Sequence, residues 1–330
     1  MKERISSLLN MDVSHLWIGT FHSICARILR MNIEKIGYSS NFTIYDTNDQ
    51  RTLVKEIIKD LNYKDEISPR DAQNLISSLK NKSISPKEFL NIDEYYKNHN
   101  EYYEVYRHYE KRKFEYNALD FDDLIEKVLL LFSKDSDTLR YYQNKFEYIF
   151  VDEYQDTNAS QYELIKYFAD YHKNVVVVGD ADQSIYSFRG ADINNILNFE
   201  KDFDNAKVIK LEQNYRSTSN ILDTANLLIV NNIERKDKNL WTANGTGDQV
   251  VYKNNSVESE ESKFVVDEIK KLTNEGYSYS DIAILYRTNA QSRSFEEALM
   301  KNLIDYKVIG GLKFYDRKEI KDLVLSLIHI

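Results

Sequence analysis

Cysteine, proline and long apolar runs are all scarce in this 330-residue chain. Its one cysteine, Cys25, cannot close an intramolecular disulfide, which excludes the disulfide-stapled secreted scaffolds and fits a reducing, cytoplasmic setting. Cys25 lies in Phe21-His22-Ser23-Ile24-Cys25-Ala26-Arg27-Ile28-Leu29, a helical pattern, and reads as a small core residue. No apolar run approaches the roughly 18 residues of a membrane span. The charged start also lacks a signal-peptide apolar region, so no membrane partner is expected. Only two prolines among many Tyr, Asn, Lys and Ile suggest an AT-rich bacterial gene. Excess positive charge is missing too, the net charge being −9. That removes global attraction to nucleic acid but leaves room for a local basic groove. With 42% hydrophobic residues the chain can build sizeable cores, and its length suits about two domains.

The most informative stretch is Tyr148-Ile149-Phe150-Val151-Asp152-Glu153-Tyr154-Gln155-Asp156. An apolar run ending in adjacent carboxylates is how a buried parallel strand delivers an acidic pair to the sheet edge, where open α/β sheets bind ligands. There one carboxylate can hold Mg²⁺ and the other can orient or deprotonate a water. A second strand, Val175-Val176-Val177-Val178, runs into Gly179-Asp180-Ala181-Asp182-Gln183. Two such strands separated by a helix-length segment suggest a nucleotide-hydrolysing core. The alternatives are strand-end acids that merely cap the next helix, or a metal-dependent nuclease using Asp152, Glu153 and Asp180. Asp180 and Asp182 are expected to shape their loop through Asx-type bonds, and Asp156 to cap a helix.

The rest of the chain alternates. Leu16–Thr20 reads as a short strand leading into a helix at Phe21–Arg30. From 47 to 145 the pattern is almost wholly helical, with Leu53, Val54, Ile57, Ile58 and Leu61 marking one buried face and Ser85 an N-cap ahead of Pro86. Strands are expected near 148–152, 175–179 and 207–211, then a helix over Ser217–Asn231 and a turn at Asn244–Asp248. Val250–Tyr252, a helix at Ser259–Glu275 and a strand at Ile282–Tyr286 continue the rhythm. The fold class is therefore α/β, a parallel sheet carrying an all-helical insertion. Tyr102, Tyr103, Tyr106 and Tyr109 read as helix packing, and Arg235-Lys236-Asp237-Lys238 as a solvated loop.

Seven segments in order carry a family resemblance. They are Gly19-Thr20-Phe21-His22-Ser23, Asp120-Phe121-Asp122-Asp123-Leu124, Val151-Asp152-Glu153-Tyr154-Gln155-Asp156-Thr157-Asn158, and Val178–Tyr186 with Arg189-Gly190-Ala191-Asp192. Leu211-Glu212-Gln213-Asn214-Tyr215-Arg216-Ser217-Thr218, Leu285–Arg293 and Gly310-Gly311-Leu312-Lys313-Phe314-Tyr315 follow. The chain resembles the superfamily 1 DNA helicases of the UvrD/PcrA/Rep group. The resemblance implies RecA-like P-loop NTPase motor domains that use ATP and Mg²⁺ to move 3′–5′ on single-stranded DNA and unwind ss/ds junctions, in repair or replication.

It also implies roles. Asp152 would coordinate Mg²⁺, Glu153 would be the catalytic base, and Gln183 and Arg216 would face the γ-phosphate, with Tyr215 stacked on the adenine. The alternative for Tyr215 and Arg216 is an interdomain salt bridge beside a packed aromatic. Gln155 and Arg189 would couple the nucleotide and DNA sites. Thr20, His22, Phe121, Tyr186, Phe188, Arg287 and Asn289 would contact DNA, since bases stack on aromatic faces for ~1–3 kcal/mol each. Phe188 stands where the family usually has Trp. Phe121 and His22 have a plain alternative as core residues.

The implied domains are 1–46 and 146–218 for the first motor domain (1A), 47–145 for the helical insertion (1B) and 219–324 for the start of the second motor domain (2A). The family's G-x-x-G-x-G-K-T phosphate loop does not occur in this sequence. The resemblance therefore implies a fragment, with Met1 internal and further motifs beyond Val324, and no ATP hydrolysis by the 330 residues alone. Leu325-Ser326-Leu327-Ile328-His329-Ile330 back-translates to a transposon-end adapter and is read as adapter read-through, the alternative being a continuing helix. A non-catalytic DNA- or partner-binding paralogue is the rival function.

Overall fold

A computed structural model describes residues 2–309 apart from 65, 93–97, 204 and 234, and the backbone only of Arg189. The segments Gly310–Tyr315 and Leu325–Ile330 singled out above lie outside the described residues. The chain divides into two compact units, Met1–Thr246 and Gly247–Ile330.

In the first unit α1 (Lys2–Leu9) precedes α2 (Phe21–Asn32), and a 3-10 turn then ends at Gly37 with φ of 92°, where a side chain would be strained. Strand β1 (Thr43–Tyr45) hands over to α3 (Thr47–Asp60) through a capping box between Asp46 and Asp49. Helices α4 (Pro69–Asn81), α5 (Pro86–Leu90) and α6 (His99–Glu115) follow. The expected Ser85 cap is present, its hydroxyl accepting from the Glu88 N–H. Strand β2 (Ala118–Asp120) pairs in parallel with β1, Tyr45 opposite Asp120, and launches α7 (Phe121–Lys134) through the same device between Asp120 and Asp123. Helix α8 (Ser136–Lys145) leads to β3 (Ile149–Val151), α9 (Ala159–Ala169) and β4 (Val175–Val177), and β3 and β4 are again parallel. Short helices α10 (Asn194–Leu197) and α11 (Phe199–Asp202) precede β5 (Gln213–Asn214), α12 (Ser219–Ile229) and β6 (Trp241–Thr242), with β5 parallel to β6.

Two large cores organise this unit, beside a smaller one of Val151, Tyr154 and Ile165. One joins α2, α7 and α8 around Ile28, Leu29, Val128, Leu131 and Tyr142, with Leu164 and Phe168 of α9. The other is built within α3–α6 from Val54, Ile57, Ile76, Phe89, Val105 and Tyr109. The segment 118–145, grouped by the sequence pattern with the helical stretch, buries Leu124, Ile125, Val128 and Leu131 in the first of these cores. Each such side chain contributes about 1.5–3 kcal/mol relative to exposure. Tyr106 and Tyr109 are buried packing residues as expected, and Cys25 has no exposed surface.

The second unit holds α13 (Glu258–Asn274) and α14 (Ser292–Lys301), which close on Val266, Ile269, Leu299 and Ile304. All three strand pairs of the first unit are parallel, but four expected strands are not formed. A strand needs a ladder neighbour, and among the described residues none pairs with 16–20, 207–211, 250–252 or 282–286. Trp17 packs edge-on against Tyr142 and Phe146 instead. Leu211 is 80% and Val251 77% exposed, whereas Ile282 and Ile284 turn toward the α13–α14 core.

Candidate functional site

The loops that follow β3 and β4 meet at one amide. After β3, Glu153 adopts left-handed backbone, φ 51° and ψ 43°, which costs a non-glycine residue about 1–3 kcal/mol. Its neighbours hold it there. The Glu153 N–H donates to Asp152 Oδ1 at 3.0 Å, and Gln155 Nε2 donates to Glu153 Oε2 at 2.9 Å. The same Gln155 accepts at Oε1 from the Asp180 N–H at 2.9 Å. Gln183 Nε2 then donates to Asp180 Oδ2 at 2.8 Å. Asp152, Glu153, Gln155 and Gln183 thus belong to one polar network at the carboxyl ends of two parallel strands. Gly179 permits the approach, because a Cβ there would lie 2.6 Å from Gln155 Oε1.

Asp180 also anchors the basic run that the sequence suggested was solvated. Lys238 pairs with Asp180 and, at 3.5 Å, with Asp182, while Arg235 reaches Asp182 at 3.2 Å. Burial alone would raise the Asp180 carboxyl, but bonds from Lys238 and Gln183 hold it below its usual range. The Asp182 N–H donates to Asp180 Oδ1 at 3.0 Å, the expected Asx-type bond. Asp156 is not a helix cap: Asn158 caps α9 in a capping box with Gln161. Burial, then the nearby Glu153, raises the Asp156 carboxyl, and its Oδ1 is buried with no hydrogen-bond partner among the described residues.

The side chains of Asp152 and Glu153 are exposed and offer hard oxygen donors, the chemistry that suits Mg²⁺. A second carboxylate group, Glu110, Asp120 and Asp123, lies close enough to hold a metal ion. Lysines already occupy it. Lys113 Nζ is 2.8 Å from Glu110, 2.8 Å from Asp120 and 2.5 Å from Asp123, and Lys80 is 2.8 Å from Asp120 and also pairs with Asp123. Sequence reasoning missed this network. Only the capping spacing of Asp120 and Asp123 was visible, and Lys80 and Lys113 stand in no motif.

The aromatic candidates gather beside it. The His22 and Phe121 rings are edge-on with centroids 6.2 Å apart, and Tyr186 lies 6.0 Å from Phe188. His22 and Tyr186 line a cleft of about 390 Å³ with Asn81, Asp122, Asp156 and Asn158. Phe121 is 48% exposed. Burial lowers the His22 pKa, and the Asp122 carboxylate partly opposes the shift. Thr20 accepts from the Ser23 N–H at 3.3 Å, so its hydroxyl caps α2.

Other candidates stand apart. Tyr215 is exposed, its hydroxyl donating to Gln213 Oε1 at 2.9 Å, and the Arg216 N–H donates to Asn214 Oδ1 at 2.9 Å. Among the described residues, no hydrogen bond or ion pair joins the Arg216 side chain to Asp152, Glu153 or Gln183. Arg189 ends the 3-10 turn Ser187–Arg189, and its side chain is outside what is described. Arg287 and Asn289 belong to the second unit, where Asn289 opens a 3-10 turn capped by Thr288.

Comparison with known proteins identifies the family. Residues 1–204 match the UvrD/REP helicase N-terminal domain, and residues 209–330 match the UvrD-like helicase C-terminal domain. The ATP-dependent DNA helicase PcrA of Staphylococcus epidermidis is 50% identical over 333 residues, covering 99% of this chain and 45% of that protein. PcrA of Bacillus subtilis is 50% identical over 334 residues, 99% of this chain and 44% of the relative. The chain spans about half the length of the curated relatives it matches. No helix among the described residues is long and apolar enough to cross a membrane. With both domain types present in order over nearly its whole length, the chain belongs to the UvrD/REP helicase family.

Proposed function

We propose that this chain is part of an ATP-dependent DNA helicase that translocates 3′–5′ along single-stranded DNA and opens ss/ds junctions in bacterial repair or replication. The observation that carries the reading is the Gln155 bridge, which fixes Glu153 in a strained backbone opposite the Gln183 loop. Glu153 would orient and deprotonate the water that attacks the γ-phosphate of ATP, and Gln183 would contact that phosphate. Asp152 would hold Mg²⁺, which when bound neutralises charge on the phosphates. Tyr215 would stack on the adenine, and Arg216 would supply positive charge to the phosphoryl group.

Gln155 and Arg189 would report the nucleotide state to the DNA side. That side would include Thr20, His22, Phe121, Tyr186 and Phe188; Arg287 and Asn289, which belong to the second unit, would contact DNA as well. RecA-like motor domains at 1–46 with 146–218 and from 219 onward, with a helical insertion between the two parts of the first, fit the separate core of α3–α6. The packing of α7 and α8 in the core shared with α2 supports an earlier end to that insertion, near residue 117.

A chimera tests the reading: residues 1–309 replace the matching stretch of the Bacillus subtilis relative, and ATP hydrolysis is followed with and without single-stranded DNA. Stimulated hydrolysis is expected, and Glu153→Gln should lower it by roughly 10²-fold or more, the scale of a lost general base. A chimera that binds DNA but never hydrolyses ATP would favour the non-catalytic paralogue. Mg²⁺-dependent DNA cleavage without ATP would favour the nuclease.

A further inference from the structure

The last turn of α4 clamps the first turns of α7 and α9 side by side. Lys80, whose side chain has no exposed surface, donates to Asp120 Oδ1 at 2.8 Å and Oδ2 at 2.9 Å, and to Asp123. Asp120 and Asp123 cap α7 reciprocally, the Asp123 N–H meeting Asp120 Oδ1 at 2.9 Å and the Asp120 N–H meeting Asp123 Oδ2 at 2.8 Å. Phe121 and Asp122 sit between those two caps. Ser77 of α4 donates to Asp122 Oδ2 at 2.7 Å, and Asn81 Nδ2 lies 3.4 Å from Asp122 Oδ1. On the other side Asn158, the N-cap of α9, donates to Asn81 Oδ1 at 2.9 Å. From α6, Lys113 and the Tyr109 hydroxyl add bonds to Asp120 of 2.8 and 2.9 Å.

The side chains that grip the turn bearing Phe121 therefore come from the helical block, although α7 buries its apolar face in the other core. Apolar contacts tolerate small slides, whereas one ammonium shared between two buried carboxylates defines a single register. Breaking such a group leaves charge uncompensated. We propose that Lys80 and Asn81 are positioning residues for Phe121, through which the placement of α3–α6 sets the angle of a ring offered to single-stranded DNA. Asn81 also bonds to Asn158, the cap of α9, so the same residue touches the starts of both helices. The inference rests on the reading of Phe121 as a DNA contact.

The test compares two labelled oligonucleotides of equal length, one of thymidine and one abasic, by fluorescence anisotropy with the 330-residue chain over a series of salt concentrations. The wild type is expected to prefer the thymidine strand by at least about tenfold, the scale of one stacked base, with Tyr186 and Phe188 adding to it. Asn81→Ala, which leaves the buried charges intact, should cut that preference about threefold. The charge-balanced pair Lys80→Met with Asp123→Asn should reduce it to the level of Phe121→Ala. Combined with Phe121→Ala, neither change should cost anything further.

The salt slope should not move, because phosphate contacts are untouched. A merely structural defect would weaken both oligonucleotides equally. Equal weakening, or folded variants with undiminished thymidine preference, would overturn the inference. A wild type with no base preference, or a harmless Phe121→Ala, would instead overturn the DNA reading of Phe121 itself.

Discussion

Glu153 illustrates how a functional residue differs from a structural one at the scale of a single side chain. Its backbone conformation would suit glycine, yet a carboxylate stands there and two neighbouring groups, the Asp152 carboxylate and the Gln155 amide, hold it. Glu153→Gly is therefore expected to raise stability by up to about 1 kcal/mol while abolishing hydrolysis in the chimera. Urea denaturation beside an ATPase assay would check the pair of outcomes. Gly179 is the reciprocal case. Gly179→Ala should cost about 1–3 kcal/mol by overpacking, because its methyl group would meet Gln155 Oε1 at 2.6 Å. Shortening the partner with Gln155→Ala should remove only part of that penalty, because Ile196 Cδ1 at 2.9 Å and the Tyr154 backbone nitrogen at 3.1 Å still crowd the methyl group, and the double-mutant cycle should be partly non-additive.

Among the elements, α7 and its buried ion group make the most definite pH prediction. Burial alone would raise Asp120 and Glu110, yet the ammonium groups of Lys113 and Lys80 hold both below their ordinary values, Asp120 well below. Carboxylates depressed in this way stabilise the fold above their unfolded pKa values, and that stability is lost as pH falls through the folded values. Lys80 and Lys113 are raised well above the ordinary lysine value, since the surrounding carboxylates outweigh burial. Their contribution is complete below the unfolded pKa and fades only as pH rises through the folded one.

Thermal unfolding should therefore be flat between about pH 7 and 9, soften below about pH 6.5, where burial keeps His22 from protonating as readily as in the unfolded chain, and fall further in acid. Lys80→Met should lower the plateau by about 3–5 kcal/mol and be less sensitive to acid, because protonation relieves its uncompensated carboxylates. The sequence showed the helical stretch well, since its faces repeat and the Ser85 cap needs no distant partner; near the site it expected Asp156 to cap a helix, whereas Asn158 caps α9. It over-read strands at 207–211 and 250–252, because an apolar β-branched run does not reveal whether a ladder neighbour exists. At the candidate site the strand-end acids were legible. The lysines from two other helices were not: Lys80 lies 40 residues before Asp120, and Lys113, although only seven before it, stands on a different helix and in no motif.

Over the whole molecule, the division between Thr246 and Gly247 falls in an exposed stretch, and both Gly245 and Gly247 have positive φ. Brief digestion with a protease of low specificity is expected to nick residues 243–250 first and to release a fragment ending near Thr246. Mass spectrometry of the products would locate the cut. First cleavage inside α3–α6 would instead mark the helical block as the weaker part. The lone thiol has a practical consequence at this scale. Cys25 has no exposed surface, and burial pushes its pKa up to about 12. At neutral pH it is neither reachable nor ionised, so a maleimide dye should leave the native chain unlabelled. The natural protein thus serves as a blank, and one new cysteine on any exposed helix would take a single fluorophore without first deleting the original.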